Sequence, residues 1–293
     1  MTRTRLARAV VVVALLLIQI PAAPAADRPS VTWHPAKLHA GDVAWVLVQG
    51  VAEGTSIEGS LGVRSLLFFP YASGQAAVVG VDLETKPGPQ GWQLAILEPG
   101  REPRRLSGTH TVSRRDFSVQ RLTLPSTMVD LDPETERRAL SEGERLRTLY
   151  RTITPERLWR GRWTRPVAGQ EPGTGFGSRR IINGQPRAPH TGIDFAAPRG
   201  TPVVAANSGR VALLGDYFFP GRLVALDHGL GLYTLYFHLD TVTVTDGERV
   251  ERGQTVGTVG STGRATGPHL HFGAQAGVAR VDPASLLGLD VHD

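Results

Sequence analysis

The chain has 293 residues, enough for two domains of ordinary size with a core each. It carries 32 basic against 27 acidic residues, a formal charge of +5; without Arg3, Arg5 and Arg8 the balance is 29 to 27, near +2, and no basic run points to nucleic acid. The absence of cysteine excludes disulfides, thiol nucleophiles, thiolate ligands and lipid attachment at a cysteine, so any metal site must use histidine and carboxylates.

The first 26 residues set those three arginines ahead of an apolar run from Ala9 to Ile20, then a proline and the small residues Ala23-Pro24-Ala25. The run is short of the roughly 20 residues that span a bilayer. Residues 1–26 are therefore expected to be a cleaved secretory signal peptide, with a membrane tether only if cleavage fails. Residues 27–120 carry short β-rich runs such as AWVLVQ, SLLFFPYA, AAVVGVDL and GWQLAILE, separated by turn clusters, and predict an immunoglobulin-like β-sandwich. Its histidines His34, His39 and His110 are scattered and unaccompanied, which fits surface or turn positions.

Residues 121–163 are expected to form a helical connector. Asp132 is a good N-cap, Pro133 suits the first helical position and acids fill the first turn, with Leu140, Gly143, Leu146 and Leu149/Tyr150 as the apolar stripe. A second short helix is predicted to start near Pro155. From residue 164 to 293 a Gly-rich loop leads into TPVVAA, GRVALLG, RLVALDH, LYTLYFHL, TVTV, QTVGTVG and HLHFGAQ, which predict an antiparallel β domain without helices. The fold class is thus mainly β.

Three motifs in that last domain carry chemistry. HTGID holds His190 and Asp194; in a straight strand they would stand roughly 13 Å apart, too far to share an ion that binds ligands at about 2.0–2.2 Å. The chain must bend, and Gly192 is the expected bend. GPHLHF holds His269 and His271, two apart and so on one face of a strand, an arrangement that can put one imidazole on a metal and the other beside it. YFHL places His238 at the expected end of an apolar strand, where it could line a cleft. One carboxylate and four imidazoles exceed what a catalytic zinc needs, leaving two histidines for proton transfer and charge stabilisation. His228, in LDHGLGL, begins a Gly-rich turn and is expected to be structural, and Arg179, Arg180, Arg187 and Arg199 flank the site as solvated charges that could also meet substrate carboxylates.

HTGID, YFHL and GPHLHF, with GFGSRR before them and VERGQTVGTVGSTG between them, resemble the LytM/lysostaphin-type zinc metallopeptidases of the M23 family over roughly residues 164–288. The resemblance implies that His190, Asp194 and His271 hold one zinc ion per chain and that His238 and His269 are the catalytic pair. It further implies a LytM-type antiparallel sheet and hydrolysis of peptidoglycan stem-peptide crosslinks, with D-alanyl-diaminopimelate bonds expected in a periplasmic setting. The alternatives are cleavage of glycine bridges by a secreted bacteriolytic enzyme and a non-catalytic LytM-type activator of a cell-wall amidase, against which the complete motif set argues. GERVERGQTVG also resembles the hairpin of biotinyl and lipoyl carriers, but those need a lysine at the tip and none follows Lys86. A purely structural wall-binding protein would leave the five residues unexplained.

Overall fold

A computed structural model describes residues 28–291 apart from 73, 172 and 174; the expected signal peptide lies outside the described residues. Eight strands come first: β1 (Ser30–His34), β2 (Leu38–His39), β3 (Val43–Gln49), β4 (Ser56–Leu61), β5 (Arg64–Tyr71), β6 (Gly74–Gly80), β7 (Gly88–Leu97) and β8 (Arg104–Ser113). They form one sheet in the order β1-β3-β6-β5-β4-β7-β8-β2. Alternation along β3 sends Ala44, Val46 and Val48 into a core shared with Leu38, Ile57, Leu61, Leu94, Ile96 and Val112, so strands from across the sheet meet over one apolar interior. A single folded-over sheet thereby supplies the two layers that the alternating pattern demands.

The opposite face is apolar too. Val43, Trp45, Phe69, Ala76, Val78 and Leu83 belong to a second core whose other buried members lie from Trp159 onward. Contact is close enough that a side chain at Gly80 would bring its Cβ within 2.7 Å of Ala276 and Val281. Around that point Leu83 N–H donates to Arg280 O, Asp282 N–H donates to Gly41 O, and the Arg280 guanidinium meets Asp82 at 2.8 Å and Glu84 at 2.6 Å. The N-terminal sheet is docked on the C-terminal domain through a common interior.

Between the halves run β9 (Val119–Leu122), a 3-10 turn at Ser126–Met128 and α1 (Pro133–Arg151). The Asp132 carboxylate accepts from Glu134 N–H and Thr135 N–H, the capping expected from sequence. The expected apolar stripe is only half used: Leu140 is exposed, and no helical residue is fully buried. The second helix near Pro155 does not form. Its backbone groups bond instead to the turn after residue 227, with Leu158 N–H donating to His228 O and Leu230 N–H to Thr154 O, and this extended segment inserts Trp159 and Trp163 into the shared core. Burial of two indoles outweighs local helix preference.

The C-terminal half comprises β10 (Arg179–Ile182), β11 (Gln185–Arg187), β12 (Gly192–Ala196), β13 (Pro202–Val204), β14 (Gly209–Tyr217), β15 (Gly221–Gly229), β16 (Leu232–Val242), β17 (Arg249–Val250), β18 (Thr255–Val259), β19 (His269–Ala276) and β20 (Ala279–Val281), then α2 (Pro283–Leu287). The main sheet runs β12-β19-β16-β15-β14-β17, antiparallel throughout, and β9 pairs in parallel with the β10-β11 hairpin. The short α2, capped by Asp282, departs from the helix-free expectation. No helix among the described residues is long and apolar enough to cross a membrane.

Candidate metal centre

β12 and β19 pair so that Asp194 stands opposite His271, and β16 on the other side sets Phe237 opposite the same histidine. Cross-strand partners share a face, so Asp194, His271 and Phe237 form a row, with His269 two residues along. The Phe237 ring stacks on His271 at 5.3 Å between centroids and an interplanar angle of 15°. His190 lies just before β12 and brings its ring back over the row. Gly192 is not the expected bend, since it is extended and paired with Gly273 as the first residue of β12. What Gly192 supplies is room: a Cβ there would come within 2.6 Å of His271 Nε2 and 2.5 Å of Phe272 O.

Three donor atoms converge as a result. His190 Nε2 is 2.8 Å from His271 Nδ1 and 3.2 Å from Asp194 Oδ1, and His271 Nδ1 is 3.0 Å from that oxygen. Protons alone cannot satisfy such a triangle. If both ring nitrogens carry hydrogen toward the carboxylate, the two N–H groups oppose each other; if one is bare, its lone pair faces an anion or the other nitrogen. A cation equidistant from all three removes the conflict, and the edges approach the ~3.3 Å separation of tetrahedral ligands held at about 2.0–2.1 Å. These three residues form a group that could hold a metal ion.

Electrostatics favour the deprotonated donors that a metal requires. Burial by itself would raise the Asp194 carboxyl, but hydrogen bonds from His190 and His271 hold it far below the usual carboxylate range. Burial pushes the His271 imidazole down to about 4, against the pull of Asp194.

His238 and His269 sit beside the triangle, their rings 4.8 Å apart. His269 Nδ1 is 2.9 Å from Gly267 O and His238 Nδ1 is 2.8 Å from Thr262 O; a carbonyl can only accept, so both rings carry hydrogen on Nδ1 and keep Nε2 out of that bond. His269 Nε2 stands 3.9 Å from Asp194 Oδ1. His238 reaches this position by breaking the strand's alternation. It is not a strand end, as β16 continues to Val242; it lies at a register shift between β15 and β16, with a left-handed φ of 64°. A left-handed non-glycine residue costs about 1–3 kcal/mol, here offset by the Thr262 bond and by donation from His238 N–H to Pro220 O. Burial, with His271 and His269 adding, pushes the His238 imidazole down to about 3.

Residues 188–283 match Peptidase family M23. A solved structure from Pseudomonas aeruginosa, assigned to peptidase M23, is 32% identical over 86% of this chain and 96% of its own, with a TM-score of 0.68. The chain belongs to peptidase family M23. Among curated M23 relatives, the peptidoglycan DD-endopeptidase ShyA of Vibrio cholerae is 46% identical over 85 residues, 29% of this chain and 20% of its own length. The DD-carboxypeptidase/endopeptidase Mpg of Neisseria meningitidis is 45% identical over 97 residues, 33% of this chain and 22% of its own. The M23 chain thus matches only about a fifth of the length of these curated relatives.

Other histidines and arginines sort by position. His228 of this M23 chain is fully buried, with Nδ1 2.8 Å from Ser208 O and Nε2 2.7 Å from the Thr234 hydroxyl, and burial pushes it down to about 4. It must be neutral when folded but protonates when unfolded near 6.5. Its contribution to stability is complete above pH 6.5 and declines as pH falls toward 4, by roughly 3 kcal/mol at about 1.4 kcal/mol per unit. Metal-free chemical denaturation from pH 7 to 4 should show this loss, and His228→Gln should flatten the slope by about one proton; an unchanged slope would refute the assignment. Arg199 is engaged with Asp240 at 2.6 Å and Arg179 is exposed, whereas Arg180 and Arg187 are half-buried. Sequence reasoning missed Arg264, which lies in the loop leading to His269 with its guanidinium 4.2 Å from the Phe219 ring centroid.

Proposed function

We propose that this protein is an exported, zinc-dependent endopeptidase that hydrolyses peptide crosslinks of bacterial peptidoglycan, cutting between D-alanine and diaminopimelate in the periplasm. The observation that carries the reading is a largely buried donor triangle flanked by two imidazoles, each with Nδ1 fixed on a backbone carbonyl. The peptidoglycan activities named for ShyA and Mpg support the substrate class, and the arginine-led apolar segment at residues 3–20 supports export.

His190, Asp194 and His271 would hold the zinc, which supplies Lewis acidity at the scissile carbonyl and toward an attacking water. The neutral Nε2 of His269 or His238 accepts a proton from that water as it adds to the carbonyl carbon. The resulting imidazolium faces the developing oxyanion and stabilises it, then returns the proton to the departing amine nitrogen. Because the Nδ1 bonds to Gly267 O and Thr262 O persist in both protonation states, neither ring has to turn during the transfer. A glutamate base of the HExxH type is not needed, and the sequence has none.

Zinc-loaded protein incubated with purified sacculi should deplete crosslinked dimers and release peptides ending in D-alanine, identified by mass spectrometry. Cleavage confined to glycine-bridged walls would redirect the substrate assignment. Absence of any release by folded, metal-retaining protein would overturn the enzymatic reading in favour of an amidase activator.

A further inference from the structure

We propose that Arg180, Arg187 and Arg264 form a carboxylate-binding subsite beside the metal centre, which takes the free carboxylate on the residue whose amine is released by cleavage. The inference rests on the endopeptidase reading and names what that site selects.

The three arginines come from two elements that frame the donor triangle. Arg180 on β10 and Arg187 on β11 are direct cross-strand partners, so their side chains leave the hairpin on the same face. Like charges directly opposite in a ladder destabilise it, and no carboxylate among the described residues forms an ion pair with either arginine. β11 ends three residues before His190, and Arg264 lies five residues before His269. Three other arginines of this half do have carboxylate partners: Arg199 has Asp240, Arg280 has Asp82 and Glu84, and Arg165 has Glu171 at 2.5 Å. Among the described residues the three cluster members have no ion-pair partner. Their polar contacts are long, Arg180 Nε donating to Gln120 Oε1 at 3.3 Å and Arg187 to Gln185 Oε1 at 3.4 Å, and Arg187 Nε is buried with no acceptor.

Partial burial of unpaired guanidinium groups is unfavourable unless an anion completes the site. Burial lowers the pKa of both Arg180 and Arg264, and the charges of Arg180 and Arg187 lower Arg264 further. Arg180 also senses Asp194 and acts on His271, which places the cluster within electrostatic reach of the triangle. In a D-alanyl-diaminopimelate crosslink the carbon bearing the scissile nitrogen also bears a free carboxylate, whereas an internal glycine of a bridge has none. A planar fork of N–H donors suits that group, and its placement next to the reacting bond would set the bond's register.

The test uses the full-length, zinc-loaded chain carrying His269→Ala and two soluble crosslinked peptides that differ only in a carboxylate or a carboxamide at the diaminopimelate centre. Calorimetric titration should give about 10- to 100-fold tighter binding of the carboxylate form, as expected for charge-assisted hydrogen bonds. Adding Arg187→Gln should bring the two peptides near parity, and Arg187→Lys should restore part of the preference. Arg264→Gln, on a loop, gives the same reading if the hairpin variant fails to fold. Equal binding of both peptides by the starting chain, binding of neither, or equal weakening of both by the Gln variants would each overturn the subsite. Hydrolysis is read separately with His269 intact: a carboxylate preference without turnover would sink the enzymatic reading and leave the subsite standing.

Discussion

His271→Ala is expected to remove both the bound metal and peptide hydrolysis, whereas His269→Ala is expected to remove hydrolysis alone. The two histidines are two residues apart on the same face of β19, but only His271 stands opposite Asp194, with Nδ1 3.0 Å from its carboxylate and 2.8 Å from His190 Nε2. Deleting that vertex leaves two protein donors, too few for a catalytic zinc. His269 stands outside the triangle, its Nε2 3.9 Å from the same oxygen, so its loss should leave a metal content near one per chain while hydrolysis falls about 10²- to 10⁴-fold, the range of a general acid-base contribution. Metal analysis after dialysis and initial rates on a soluble crosslinked peptide read the two effects separately. A metal-free His269→Ala protein beside a metal-replete His271→Ala protein would exchange the roles.

That assignment marks the limit of what was legible in the sequence. HTGID and GPHLHF put candidate donors close together because each motif is local, and strand alternation alone sets both histidines of HLH on one face. Which of them meets Asp194 depends on the β12-β19 register, a pairing across 77 residues that no local pattern specifies and that only the resemblance could supply. His238 was visible as a residue but not as a bulge, since its left-handed turn arises from how β15 and β16 pair. The helix expected near Pro155 failed for a related reason: the segment finds its backbone partners at His228 and Leu230, and its two indoles are buried in a core built from distant strands, neither of which the segment's own periodicity reveals. Arg264 escaped notice because an arginine in a Gly-rich loop looks solvated until the loop is folded, where its backbone N–H donates to Phe219 O and its guanidinium lies over the Phe219 ring.

Deletion of residues 28–120 is expected to yield an aggregating or strongly destabilised peptidase domain, not an independent one. The boundaries read from sequence suggest an accessory domain followed by a connector, and proteins so built often tolerate loss of the accessory part. Here the outward face of β3, β5 and β6 completes the peptidase core: Val43, Trp45, Phe69, Ala76 and Val78 pack in the same cluster as Trp159, Ala274, Ala279 and Val281. Trp159 is fully buried with its ring edge-on to Phe69 at 5.7 Å. Each large apolar side chain that loses such a partner forfeits up to about 1.5–3 kcal/mol, so several together approach the roughly 5–15 kcal/mol that holds a domain folded. The deletion also strips the partners of the half-buried Arg280, which loses Asp82, and of the buried Asp282, which loses Arg115. Thermal unfolding and light scattering of the truncated and full chains compare the cases directly, and Gly80→Val in the full chain supplies a milder probe, since its side chain would collide with Ala276 and Val281 and should cost about 1–3 kcal/mol by overpacking. A truncated chain with an unchanged melting temperature and undiminished turnover would mean that the shared interior adds nothing to the stability of the catalytic sheet, and that the N-terminal sheet acts only on access to it.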